Sequence, residues 1–235
     1  MTEHRQAARH IALIPAAGVG ARMAAGSPKQ YLPVAGKPML RHALDAFLAS
    51  PQIAHTYVVV SADDGMIADV VPEQGVTVLR CGGATRMETI LNGLEMLKST
   101  LHAHDQVLVH DAARPGLTPA LIARLIDEVG KHPAGGLLAL PVVDTVKRAG
   151  QDQLSQATVP RDGLWLAQTP QMFSYALLHR ALSQATDPAA ITDDASAVEA
   201  LGLSPRLVEG HPRNLKVTLP RDIATVELYL NHASF

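Results

Sequence analysis

A loop near the N-terminus reads IPAAGVGARMAAGSPKQY over residues 14–31, with Arg22 and Lys29 set among glycines and alanines. The backbone N–H groups of such a loop, together with two cations, make a cradle for a polyphosphate. A second candidate is VLVHDAARP, residues 107–115, where Asp111 follows a short apolar run. One carboxylate at the end of a buried strand can hold Mg²⁺, with phosphates and water completing the shell. The competing reading of Asp111 is a helix cap or an ion pair with Arg114. Two cations stand further on, Arg161 in PRDGLW and Lys216 in NLKVT. Taken singly, each reads as a surface charge. Thr192, in ITDDASA, reads as a helix N-cap.

Other polar residues read as structural. His110 is expected to be a packed strand-end histidine rather than a ligand. The HAHD tract at residues 102–105 is expected to be a solvated loop, and Cys81 is incidental. The glycine loop begins like a dinucleotide fingerprint, but Met23 stands where the third glycine belongs. The second strand, ending VVVSA, lacks the terminal acidic residue that a nicotinamide cofactor needs. A Walker loop is absent, as are a serine-hydrolase elbow, a zinc pattern and paired glycosidase carboxylates.

The chain has 235 residues, of which 47% are hydrophobic, 18% charged and only 3% aromatic. So few aromatics argue against base-stacking platforms, and the net charge of −2 leaves no footprint for nucleic acid or an anionic membrane. The single cysteine permits no internal disulfide, and a reducing cytoplasm is the expected compartment. The opening MTEHRQAARH has no apolar signal core, and no apolar run approaches a membrane span. The first ten residues are expected to be a frayed lead-in.

The elements that must position these groups alternate strand and helix. HIALIP, TYVVVSA, GVTVLR, DQVLVH and GGLLALPVV read as strands. Helices are expected from Met39, over TRMETILNGLEMLKS with a Thr85/Glu88 capping box, and from about Thr118 to Lys131. TPQMFSYALLHRALSQA and TDDASAVEALG show helical spacing; NLKVT reads as a short strand and PRDIATVELYL as a last helix opened by Pro220. This order implies an α/β fold with a mainly parallel sheet and helices on both faces, its ligands beyond the strands' carboxyl ends. Residues 143–165 break the rhythm: polar and valine-threonine-rich, they read as an extended β-arm. One domain, 1–235, is expected, and the end of the chain soon after the last helix leaves no fused second enzyme expected.

Taken together, PAAGVGARM, PKQY, VHDAARP, PVVDTVKR, RDGLWLAQTPQ, TDDASAVE and NLKVT resemble, in order, the 2-C-methyl-D-erythritol 4-phosphate cytidylyltransferase family of the non-mevalonate isoprenoid pathway. The resemblance implies a Rossmann-like nucleotidyltransferase fold and a homodimer that exchanges its β-arms. It implies that Arg22 and Lys29 bind the CTP triphosphate and its transition state. It places Mg²⁺, or another divalent cation, on Asp111, and cytidine against Ala16, Ala17, Gly18, Gly83 and Thr89. Arg114, Thr145, Arg161, Thr169 and Thr192 would surround the sugar-alcohol phosphate, with Arg161 and Lys216 acting in catalysis. In CGGATRMET the sequence departs from the family, Ala84 replacing an acidic residue and Thr89 a serine. Alternative readings are a ribitol 5-phosphate cytidylyltransferase, a nicotinamide-dependent oxidoreductase and a non-catalytic nucleotide sensor.

Overall fold

The computed structural model describes residues 7–18, 28–187 and 190–232. Among these residues the strands are, in chain order, β1 His10–Pro15, β2 Pro33–Val34, β3 Lys37–Pro38, β4 Ile53–Val59, β5 Val76–Leu79, β6 Gln106–Val109, β7 Gly136–Pro141, β8 Val146–Ala149, β9 Ser155–Val159, β10 Trp165–Ser174 and β11 Arg206–Glu209. The helices are α1 Met39–Leu48, α2 Arg86–Met96, α3 Pro119–Val129, α4 Tyr175–Ser183, α5 Asp194–Glu199 and α6 Arg221–Asn231. Seven strands form one sheet in the order β11-β7-β10-β6-β1-β4-β5, in which β10 alone runs against its neighbours. The architecture is therefore the expected α/β fold with a mainly parallel sheet.

Side-chain alternation along β1 divides the core. Ala12 and Ile14 face α1 and α3, meeting Leu40, Leu44, Phe47, Ile122 and Leu125. Ile11 and Leu13 face the other layer, with Ile90, Leu94, Leu178 and Val198. A third, smaller cluster sets Val226 of α6 under Val34, Met39, Ala113 and Val217, so the last helix supports the segment carrying Lys216. Among the described residues no helix is long and apolar enough to cross a membrane.

The Thr85/Glu88 capping box opens α2 as expected, and Thr118 caps α3. Several expectations need correction. TPQMFS is the end of the ten-residue strand β10, not the start of a helix. Phe173 stands four positions before Leu177, a helical spacing, but Ser174 accepts a bond from the Leu177 N–H and starts α4 there. Asp193, not Thr192, caps α5, accepting from the Ser196 N–H. NLKVT forms no strand: Asn214 ends a 3₁₀ turn, and Val217 donates one backbone bond to Ala113. The strand of this region is β11, which the sequence reading passed over.

The arm is an antiparallel hairpin of β8 and β9, almost wholly exposed. Its C-terminal bound falls inside the main sheet, because Trp165 opens β10 and pairs with Pro141.

The HAHD tract is not uniformly solvated. Asp105 is fully buried, accepts from the backbone N–H of His102, and pairs with Arg9 at 2.5 Å. The N-terminal lead-in is thus tied down at Arg9. Burial pushes the Asp105 carboxyl up, but the Arg9 guanidinium and the backbone donors outweigh it and hold it at about 2. A depressed pKa contributes stability that is complete above the unfolded value of roughly 4 and lost as pH falls through the folded value. The urea midpoint is expected to fall between about pH 4 and pH 2, with this pair supplying on the order of 1–2 kcal/mol because Arg9 is partly screened. Asp105→Asn should flatten that part of the acid limb. An unchanged limb would remove the pair from the account.

Candidate active site

The loops after β1, β5 and β6 meet beyond the strands' carboxyl ends. Ala16 is held by its N–H to the Val59 carbonyl, and Gln30 Nε2 donates to the Ala16 carbonyl at 2.7 Å, bringing the Lys29 turn over the end of β1. Gly83 permits a close approach: a Cβ there would lie 2.5 Å from that of Glu88. These segments enclose a cleft of about 570 Å³ lined by Ala16, Ala17, Gly18, Lys29, Gly83, Thr89, Asp111 and Lys216, among others. A second cleft of about 230 Å³ adjoins it, lined by Arg114, Thr169, Thr192, Asp193 and their neighbours. Arg86, Asp111 and Lys216 line both.

That shared wall carries the charge. Asp111 Oδ1 accepts from Arg86 Nε at 2.8 Å; Oδ2 lies 2.8 Å from Lys216 Nζ and 3.6 Å from Arg114 Nε. Arg86 also grips Asp194 through two parallel bonds, Nη1 to Oδ1 at 3.1 Å and Nη2 to Oδ2 at 2.9 Å. Burial works to raise the Asp111 pKa, but Arg86 and Lys216, with Arg114, overcome it and hold the carboxyl well below the usual carboxylate range. The aspartate is a fixed anion between two compartments, one roomy and one small.

The backbone of Asp111 is held as firmly. Its N–H donates to Thr169 Oγ1 at 3.1 Å, and Thr169 Oγ1 lies 2.9 Å from His110 Nδ1. His110 Nε2 lies 3.2 Å from the Arg114 carbonyl, which can only accept, so the ring proton sits on Nε2 and Nδ1 takes the threonine hydroxyl. Burial pushes the His110 pKa down to about 4, against the pull of Asp111, and the ring is neutral near pH 7. His110 is the packed strand-end residue expected of it.

The sequence signature of the 2-C-methyl-D-erythritol 4-phosphate cytidylyltransferase family matches residues 10–232. The chain belongs to that family. Proteins of that name from Bordetella parapertussis and Ralstonia nicotianae are 54% identical over 226 residues and 51% identical over 240. The first match covers 94% of this chain and 98% of the relative; the second covers 98% and 95%. A crystal structure of 4-diphosphocytidyl-2C-methyl-D-erythritol synthase, 45% identical, superposes with a TM-score of 0.84 over 95% of this chain and 99% of that one.

The residues carried over from the family fall into four groups. The cytidine-pocket residues, with Lys29, Asp111 and Lys216, line the larger cleft, and Arg114, Thr169 and Thr192 line the smaller. Arg22 lies outside the described residues. Thr145 and Arg161 line neither cleft; both are exposed on the arm, where Arg161 Nη1 donates to the Val143 carbonyl. Two threonines already have partners for their hydroxyl protons. Thr89 Oγ1 accepts from the Gly83 N–H and donates to the Thr85 carbonyl at 2.8 Å, bracing the loop, and Thr169 is committed to His110. Arg114 likewise donates to the Asn214 and Ala167 carbonyls, and its pairing with Asp111 is the structural alternative read from the sequence.

Sequence reasoning missed Arg86 and Asp194. Each sits inside a quoted motif, CGGATRMET and TDDASAVE, but no local pattern couples residues 108 positions apart. Among the described residues no three histidine, cysteine or acidic side chains converge as a metal cluster. Among the described residues, Asp111 is the one carboxylate lining the larger cleft. That donor set fits a hard dication whose remaining ligands are phosphate oxygens and water.

Proposed function

We propose that the chain transfers the cytidylyl group of CTP to 2-C-methyl-D-erythritol 4-phosphate, giving 4-diphosphocytidyl-2-C-methyl-D-erythritol and pyrophosphate. The observation that carries this is the meeting of two clefts at one charged wall, Arg86, Asp111 and Lys216. The larger is sized for a nucleotide and the smaller for a short polyol phosphate.

The nucleophile is a substrate phosphate oxygen. A phosphate monoester has a second pKa of about 6 and is largely dianionic at neutral pH, so no general base is required. The oxygen attacks the α-phosphorus in line; the new P–O bond forms as the bond to the β-phosphate oxygen breaks, and pyrophosphate departs with that electron pair. The obstacle is the approach of a dianion to a triphosphate, and catalysis rests on positioning and on cations aimed at the developing charge. Lys29 and Lys216 both line the larger cleft, Lys29 Nζ donating to the carbonyl of Val217 beside Lys216 at 3.4 Å, and Arg22 stands seven positions before Lys29 in the sequence. A divalent ion held by Asp111, Mg²⁺ above all, supplies further neutralisation of the triphosphate when bound.

Lys29→Ala is expected to lower kcat on the order of a hundredfold while leaving the KM for CTP nearly unchanged, because its charge meets negative charge that grows in the transition state. Steady-state kinetics decide it: a change confined to KM would reduce Lys29 to a binding residue.

The working unit in this reading is a single-domain chain paired as a homodimer with exchanged arms, acting in the cytoplasm on small phosphates, with no nucleic acid and no membrane. The exposure of Val143, Leu154 and Leu166 on and beside the arm supports a covering partner. A pyrophosphate-release assay with CTP and Mg²⁺ tests the whole proposal against a panel of polyol phosphates. Release with methylerythritol phosphate is expected. Release with ribitol 5-phosphate alone would favour the alternative transferase, which the relatives' names do not support. No release with any acceptor would leave a sensor.

A further inference from the structure

The cations of the shared wall are not equally free to move. Lys216 touches Asp111 through one ammonium, and its side chain is 38% exposed. Arg86 spends three N–H bonds on two carboxylates. One of these, Asp194, is 1% exposed and stands in the first turn of α5, where Gln171 accepts from the Ala195 N–H and donates to Asp193. An arginine lining a triphosphate cleft would ordinarily turn its fork onto phosphate, the geometry it matches best. For Arg86 to do so it would have to break two parallel bonds and leave a buried carboxylate without its partner, which is strongly unfavourable.

We propose that Asp194 and Arg86 are positioning residues: Asp194 clamps the Arg86 guanidinium so that it stays on Asp111 when CTP enters, leaving Lys216 as the cation that changes partner. The fixed Arg86 holds Oδ1 and aims the carboxylate. The release of Lys216 opens Oδ2 and brings an ammonium to the reacting phosphate. The division of labour follows from geometry, a three-bond clamp against a single half-exposed contact. This inference rests on the transferase reading, and its first measurement needs no second substrate.

The test is Asp194→Asn, which keeps size and replaces one of the two carboxylate oxygens that accept from Arg86 with an amide that cannot. In metal-free buffer, calorimetry should show the variant binding CTP several-fold more tightly than the parent, because the freed guanidinium follows the triphosphate. With Mg²⁺ and both substrates, kcat should fall about tenfold or more, in the range found when groups that orient metal ligands are removed. The KM for CTP should not rise. A merely structural role would lower Tm and leave metal-free CTP affinity and kcat per folded molecule at parental values, and that result overturns the proposal. If Asp194→Asn does not fold, the double variant Arg86→Met with Asp194→Leu replaces the pair with apolar groups of similar size. It should fold, show no tightening of CTP, and lose turnover by a similar factor; parental turnover would overturn the proposal. A parent protein that binds CTP but makes no product would instead count against the transferase reading.

Discussion

Asp111→Asn is expected to abolish pyrophosphate release, a loss on the order of a thousandfold or more, while leaving the fold intact. The substitution preserves shape and the backbone bond to Thr169, so the end of β6 keeps its place. It removes the carboxylate that lines the larger cleft and is proposed to hold the divalent ion. The surrounding cations retain other support: Arg86 keeps its fork on Asp194, Arg114 keeps its two carbonyls, and Lys216 is exposed to water. Stability should fall, because the lost carboxylate is one that three cations hold ionised, but the chain should remain folded, which a thermal melt beside the assay would establish. Near-normal turnover at saturating Mg²⁺ would sink the assignment of Asp111 as the metal ligand. Loss of turnover together with loss of the melt would mean that its role is structural.

Mixed dimers of Lys29→Ala and Arg161→Ala chains should regain activity that neither parent variant has. Lys29 lines its own chain's cleft, whereas Arg161 stands on an exposed hairpin and lines neither cleft of that chain. A two-stranded ribbon with both edges open is a marginal structure by itself, and exchange across a two-fold axis covers those edges. If Arg161 then serves the neighbour's site, one site in each mixed dimer holds both intact residues and the other holds neither. Random pairing makes about half the dimers mixed, so about a quarter of the parental sites should return. Were Arg161 to act within its own chain, every site in the mixture would lack one residue. Activity absent from heterodimers verified by mass would therefore refute exchange of the arms.

Much of the fold was legible because local physics dictates it. The apolar runs of β1, β4, β6 and β7 announce buried parallel strands, and the Thr85/Glu88 box marks the start of α2 before any tertiary contact is considered. The failures share a cause. The TPQMFS end of β10 reads as helix because Phe173 stands at helical spacing from Leu177, and only pairing with β6 and β7, far away in sequence, makes it a strand. NLKVT has strand composition, but its place beyond the sheet gives it no ladder partner, and the backbone bond from Val217 to Ala113 is joined by scattered contacts such as Arg114 to the Asn214 carbonyl. Asp105 has the composition of a loop residue, and Arg9, 96 positions away, makes it a buried anion.

The candidate site divides in the same way. Residue types and spacing alone single out Lys29 and Asp111 for phosphate and metal chemistry, because glycine-rich turns and strand-end carboxylates act through their immediate neighbours. The ordered motifs bring in Lys216, Arg114 and the threonines. What those side chains do is decided by the folded chain. Hydrogen-bond partners are a property of three-dimensional neighbours, so only the structure assigns the Thr169 hydroxyl to His110 and the Thr89 hydroxyl to its own loop. Charge is long-ranged but blind to sequence separation. Only folding brings Arg86 between Asp111 and Asp194, where it makes three bonds, and sets Lys216 on Asp111 through one ammonium.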